Sequence, residues 1–124
     1  MKNQDPNQEY LQSIINLFTE GQLKLALSEA TQMLEQYPNS VILYNIAGAC
    51  NAGLMQFDAA ITSYKQALKI KPDYAQAYYN MGNAQYENSD LEATIESFKH
   101  AVKIKPDYAQ AYNNMGIALF DKGH

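Results

Sequence analysis

Shifted by 34 residues, this chain falls on itself: the run Lys69-Ile70-Lys71-Pro72-Asp73-Tyr74-Ala75-Gln76-Ala77-Tyr78 returns from Lys103 to Tyr112. The same shift relates Pro38 to Pro72 and Pro106, Tyr10 to Tyr44, Tyr78 and Tyr112, and Gly48 to Gly82 and Gly116. Agreement at so many positions is not chance. A unit this short cannot enclose a core alone, so each must shelter its apolar side against the next. The chain therefore reads as one array over 1–124, with units at 7–40, 41–74 and 75–108 and a partial unit at 109–124.

Inside each unit the apolar side chains recur every three or four residues, as on a helix face, and nothing alternates as a strand does. Tyr78, Met81 and Ala84 trace one stripe, with Gln85 a polar intrusion; Leu91, Ile95, Phe98, Ala101 and Val102 trace another beyond Asn88-Ser89-Asp90. The second unit repeats this pair through Tyr44, Ala47 and Gly48, then Phe57, Ala60, Ile61, Tyr64, Ala67 and Leu68. Pro72 and Pro106 close each second helix, because proline lacks an amide hydrogen and its ring clashes with the preceding turn. Asp73 and Asp107 read as N-caps, each with a glutamine three residues on, and Asp5-Pro6 as the opening of the first helix. Gly21 and Gly53 fall in turns, and Met55 and Ser89 take turn positions that glycine often fills. The spacing predicts helices over 8–20, 23–36, 41–53, 57–70, 75–87, 91–104 and 109–121.

Composition narrows the function. At 47% hydrophobic and 18% charged, the chain is too apolar for a disordered one. The start Met1-Lys2-Asn3-Gln4-Asp5 has no apolar stretch to serve as a signal peptide, and no run approaches the roughly 18 apolar residues of a membrane span. A single cysteine, Cys50, cannot form an internal disulfide, so a reducing cytoplasm is the expected compartment. Net charge is −4 and all nine basic residues are lysines. Without arginine's planar fork, recognition of nucleic acid or phosphopeptides is disfavoured. There is no glycine-rich phosphate loop, nucleophile elbow or His–carboxylate pairing, and two isolated histidines with one cysteine make no zinc site. Neither catalysis, metal nor cofactor is expected.

A 34-residue helix–turn–helix unit with an aromatic, a glycine four residues later, spaced alanines and a closing proline resembles the tetratricopeptide repeat. Tyr78, Gly82, Phe98, Ala101 and Pro106 carry the match in one unit, and Tyr44, Gly48, Ala60, Tyr64, Ala67 and Pro72 in another. Tyr112 and Gly116 begin a further unit, while the first, with Tyr10, Gly21, Ala26 and Pro38, is more degenerate. The resemblance implies an all-α, right-handed superhelical array of antiparallel helix pairs, about three and a half repeats long. Ile14 stands where later units have glycine, so the first pair should be spaced more widely. Thr94 replaces the alanine of Ala26 and Ala60 and should bond back to its own helix.

The family implies a concave groove lined by the first helix of each pair, holding a protein or peptide ligand. Repeat phase puts Gln8, Leu11, Gln12 and Ile15, then Ile42, Asn45, Ile46 and Ala49, in its N-terminal half. Gln76, Tyr79, Asn80 and Asn83, then Gln110, Asn113, Asn114 and Ile117, line the rest. Asn80 and Asn114 resemble the asparagine ladder of O-GlcNAc transferases, which holds extended peptides by the main chain; the simpler reading is solvated family background. The family's carboxylate clamp for chaperone tails needs lysine, asparagine and arginine at groove positions where this chain has Leu11, Ile15, Ile46, Gln76 and Asn80; with no cation among them, a chaperone C-terminal tail is not the expected ligand.

The remaining candidates read as structural. Cys50 shares its phase with Ala84 and Ala118 and should be a small buried thiol. His100 should lie on the outer face, and His124 is either native or the start of an affinity tag. Lys65, Lys69 and Lys71, with Lys99, Lys103 and Lys105, should be solvated near helix C-termini, where the helix dipole favours cations. Tyr112, Met115, Leu119 and Phe120 are expected to lack cover on the last helix, making 109–121 a surface for a homo-oligomer and the chain a fragment of a longer protein. Similar bacterial arrays often precede a sulfotransferase or glycosyltransferase domain, which makes a recruiting arm of such an enzyme the alternative function.

Overall fold

A computed structural model describes residues 4–123; His124 and residues 1–3 lie outside it. Seven helices, and no strand among the described residues, follow in order: α1 Gln8–Thr19, α2 Leu23–Gln36, α3 Val41–Gly53, α4 Phe57–Ile70, α5 Ala75–Glu87, α6 Leu91–Ile104 and α7 Ala109–Lys122. Each packs on its chain neighbours, and α5 also touches α3 and α7, so the array is an all-α solenoid of three hairpins and a final single helix. The helix faces bury leucine, alanine and one ring per interior hairpin, Tyr64 and Phe98, which are 2% and 1% exposed. Helices this short are marginal alone, so burial between neighbours is what stabilises them.

Two turn chemistries punctuate the stack. Within a hairpin, Gly21, Met55 and Ser89 hold left-handed backbone at φ 81°, 62° and 61°. The amides that follow bond back: Gln22 N donates to Leu17 O, Gln56 N to Asn51 O and Asp90 N to Gln85 O. These bonds satisfy helix carbonyls left open at a C-terminus and offset the cost of the strained residue. Gly53 is not in the turn; it ends α3, and a Cβ there would stand 2.7 Å from Leu23 Cδ1.

Between hairpins, Pro72 and Pro106 are second in tight turns closed by Tyr74 N to Lys71 O and Tyr108 N to Lys105 O. Asp73 and Asp107 are therefore consumed in the turn, and the N-caps are Tyr74 and Tyr108, without a side-chain cap. Only Ser40 caps at that phase, its Oγ accepting from Leu43 N at 3.2 Å. Asn7, rather than Asp5-Pro6, caps α1, its side chain accepting from Tyr10 N. Asp5 instead accepts from Ser40 Oγ at 2.5 Å, tying the N-terminal segment to the start of α3.

Ile14 is buried with Ala30 in the first hairpin, whose two helices pack less extensively on each other than those of the next two. Thr94 Oγ1 donates to Asp90 O at 2.9 Å. Gln85, the polar intrusion, accepts from Ser97 Oγ at 2.6 Å, and no buried side-chain polar atom among the described residues lacks a partner. Cys50 is fully buried, which pushes its thiol above the ordinary range and suppresses the nucleophilic thiolate.

Candidate functional site

The first helices of the units, α1, α3, α5 and α7, stand side by side and form one wall. Near its N-terminal end a hollow of about 420 Å³ opens between α1, α3 and α5. Ile15, Phe18, Ile42, Ile46 and Ala49 give it an apolar floor, and Asn45, Gln76 and Asn80 rim it with amides. Phe18 was not anticipated; it lies three residues after Ile15 on the same helix face, and that spacing was the signal for it. Leu11, expected here, is instead 5% exposed in the core of the first hairpin. Gln8 and Gln12 are exposed, and Gln12 Nε2 donates to Asn16 along its own helix at 2.9 Å.

Towards the C-terminus the wall is polar and internally bonded. Asn80 Nδ2 donates to Asn45 Oδ1 at 3.4 Å, and Asn114 Nδ2 donates both to Asn83 Oδ1 at 3.0 Å and to the Tyr79 hydroxyl at 3.1 Å. The amides thus bond between adjacent helices, in the pairs Asn45–Asn80 and Asn83–Asn114, rather than as an Asn80–Asn114 ladder. Tyr79 is chiefly a core group, its ring 5.0 Å from that of Tyr108 and 5.8 Å from that of Phe98. Asn83, Glu87, Asn114 and Ile117 line a second hollow of about 300 Å³, while Gln110 and Asn113 are exposed on α7 beyond it.

At the far end of this wall the Tyr86 hydroxyl donates to the Asp121 carboxylate, which pushes the phenol above its ordinary value. Tyr86–Asp121, Asn45–Asn80, Tyr79–Asn114 and Asp5–Ser40 are all 35 residues apart. Asn83–Asn114, by contrast, is 31 residues apart. Charge is one-sided here: among α1, α3, α5 and α7 the acids are Glu9, Glu87 and Asp121, and the single lysine is Lys122 at the last turn of α7. Among the described residues no group of three metal-ligating side chains comes together. Nor is any of their helices long and apolar enough to cross a membrane.

The other candidates fall as follows. His100 is exposed but stacks on Tyr78, centroids 4.7 Å apart and planes 14° from parallel. Lys71 and Lys105 lie over the rings of Tyr74 and Tyr108 at 5.1 and 4.7 Å. On α7, Tyr112, Leu119 and Phe120 are 46%, 51% and 65% exposed. Met115 departs from expectation: it is partly buried against the Phe98–Ala101–Tyr108–Ala111 cluster, because it points back to the third hairpin.

Comparison with known proteins agrees with this architecture. Over 74 residues the chain is 31% identical to a probable UDP-N-acetylglucosamine–peptide N-acetylglucosaminyltransferase, SEC, of Arabidopsis thaliana, a match covering 60% of this chain and 8% of that protein. It is 29% identical over 63 residues to small glutamine-rich tetratricopeptide repeat-containing protein 2 of Saccharomyces cerevisiae, covering 51% of this chain and 18% of that one. The chain thus spans a small part of both relatives' length. A crystal structure of MamA superposes with TM-score 0.89 at 26% identity, over 96% of this chain and 71% of MamA. The first TPR of Spaghetti (RPAP3), bound to the HSP90 peptide SRMEEVD, shares the fold at TM-score 0.90 and 17% identity, over 93% of this chain and 91% of its own. A family model described as TPR repeat matches residues 56–89 and 86–123, more than half of the sequence, and the chain belongs to the tetratricopeptide repeat family.

Proposed function

We propose that this array is a non-catalytic protein-interaction scaffold that holds an extended peptide or a partner helix along the wall of α1, α3, α5 and α7. The observation that supports it best is the hollow between α1, α3 and α5. Ile15, Phe18, Ile42 and Ile46 offer an apolar socket, and Asn45, Gln76 and Asn80 stand around it as donors and acceptors suited to a peptide main chain. The reading predicts that a peptide library selected on the protein enriches sequences with one apolar anchor. Ile46→Asp should abolish that enrichment and an Asn80→Ala/Asn114→Ala double variant should weaken it. Equal enrichment by the unaltered protein and Ile46→Asp would overturn the reading.

The wall also bears on the kind of ligand. Where a carboxylate clamp needs lysine, asparagine and arginine, the wall has Ile15, Ile46, Gln76 and Asn80 and Leu11 lies in the core, so an acidic chaperone tail finds no counter-charge and the SRMEEVD peptide should not bind in a calorimetric titration. A second reading is favoured by the similarity to the Arabidopsis transferase: the array serves as a recruiting arm of a larger sulfotransferase- or glycosyltransferase-type enzyme. Its test is the reading frame beyond the codon for His124. A frame that encodes no transferase there removes it.

A further inference from the structure

The hollow between α1, α3 and α5 is not isolated. It shares Ala49 and Asn80 with a further hollow of about 430 Å³, walled by Ala52, Phe57, Tyr64 and Ala84. That one in turn shares Asn83 and Glu87 with the hollow beside α7, so the three run on as one track. Among the described residues Glu87 is the one charged group that lines any part of it. Glu87 is exposed, and the two ion pairs of the described residues, Lys99–Glu96 and Lys122–Glu92, leave it out. Lys122, the single cation of the wall, is thus engaged with α6. Asp121, which accepts from the Tyr86 hydroxyl next to Glu87 in the chain, adds a second negative charge at the same end. Between the hollows, Asn80 donates to Asn45 and Asn83 accepts from Asn114, so Asn80 Oδ1 and Asn83 Nδ2 remain for a ligand.

We propose that this track selects a basic peptide: an extended segment with an apolar side chain in the first hollow and a lysine or arginine at Glu87. The selection rests on the groove serving as the peptide site, and adds the charge that its ligand must carry. One free acceptor and one free donor between the hollows suit an extended main chain, whereas a helix has already bonded its own N–H and C=O groups. The spacing follows from α5. Asn80, at the rim of the first hollow, and Glu87 are seven residues apart on that helix, about 10 Å along its axis. An extended chain covers this distance in about three residues. A helical ligand would need about seven.

The test is a phage-displayed library of random dodecapeptides selected on the intact chain and on its Glu87→Gln and Glu87→Lys variants. Glu87 is exposed and makes no side-chain hydrogen bond, so both variants should keep the circular dichroism of the parent. Peptides selected by the unaltered chain should carry lysine or arginine about three residues from an apolar anchor. Glu87→Gln should keep the anchor and lose the cation, and Glu87→Lys should select aspartate or glutamate in its place. A synthetic peptide of the leading sequence, titrated by calorimetry in about 50 mM salt, should bind Glu87→Gln about two- to fivefold more weakly than the parent. That difference should fade in about 500 mM salt. An anchor with no cation, a cation that Glu87→Gln retains, or one about seven residues away would overturn the proposal and leave the groove as a peptide site. Selection of no anchor at all would overturn both.

Discussion

The first hairpin and the third fill the same gap from opposite sides. In the first, the bulk is Ile14 on the leading helix and the thin wall is Ala30; in the third, the bulk is Phe98 on the following helix and the thin wall is Gly82. The third packs more extensively. Glycine without a Cβ lets a ring lie against helix backbone, and the ring is wide enough to reach the next unit: Phe98 clusters with Tyr108 and Ala111, which belong to the turn and helix beyond. The difference teaches that close pairing here follows from placing volume on the second helix, where it serves two interfaces.

Removing the bulk should break the comparison most. Phe98→Ala should cost about 3–5 kcal/mol in urea denaturation, because a fully buried ring leaves a cavity between rigid helices. A cost below about 1 kcal/mol would mean that the neighbours collapse into the space. Thickening the thin wall comes next. Gly82→Ala gains about 0.5–1 kcal/mol of helix propensity, yet its methyl would stand 2.7 Å from the buried Phe98 ring, which must shift to admit it, so a net loss of about 1–3 kcal/mol is expected. A stabilised variant would show that the ring can shift.

The sharpest version converts the third hairpin into the first. Gly82→Ile combined with Phe98→Ala should be more stable than the sum of the two single changes by about 1 kcal/mol, a coupling read from a double-mutant cycle. Strict additivity would deny that the two residues share one space. Smaller again is a pH effect confined to the later units. Burial raises the phenols of Tyr64, Tyr74 and Tyr108, and the Asp121 hydrogen bond raises that of Tyr86. The folded chain therefore holds these protons when the unfolded chain, titrating near the ordinary value of 10.0, has released them. Their stabilising contribution is complete below about pH 10 and is lost above it as the folded phenols ionise. The melting temperature should accordingly be lower at about pH 10.5 than at about pH 8, and less so in Tyr86→Phe.

The smallest effect has the opposite sign. Gly116→Ala adds a methyl that meets nothing, so it should stabilise the chain by about 0.5–1 kcal/mol through helix propensity alone, where the same change at Gly82 destabilises. Loss of stability at Gly116 would show that the added methyl meets a neighbour after all.

Much of this was legible before any coordinates. The proline-punctuated period placed the helices to within a residue or two, because a buried stripe at helical spacing and a missing amide act locally. Ile14 against glycine, and Met55 and Ser89 at the hairpin turns, could be read for the same reason. The caps differ from that reading: Tyr74 and Tyr108 cap where Asp73 and Asp107 are expected, because the turn after each proline takes up the aspartate, and Asn7 caps α1 in place of Asp5-Pro6. Leu11 and Met115 were put on open surfaces because phase tells which residues share a face but not what stands opposite.

What the sequence determined on its own is therefore the unit: its length, its two helices, their apolar stripes and the order in which they stack. What only the tertiary structure decided is how units meet. The ties Asn45–Asn80, Tyr79–Asn114 and Tyr86–Asp121 fall at 35 residues, one beyond the period, whereas Asn83–Asn114 falls at 31. Which residues meet across an interface is set by the side-chain volumes on both sides, a property of two surfaces together, and no single stretch of chain contains it.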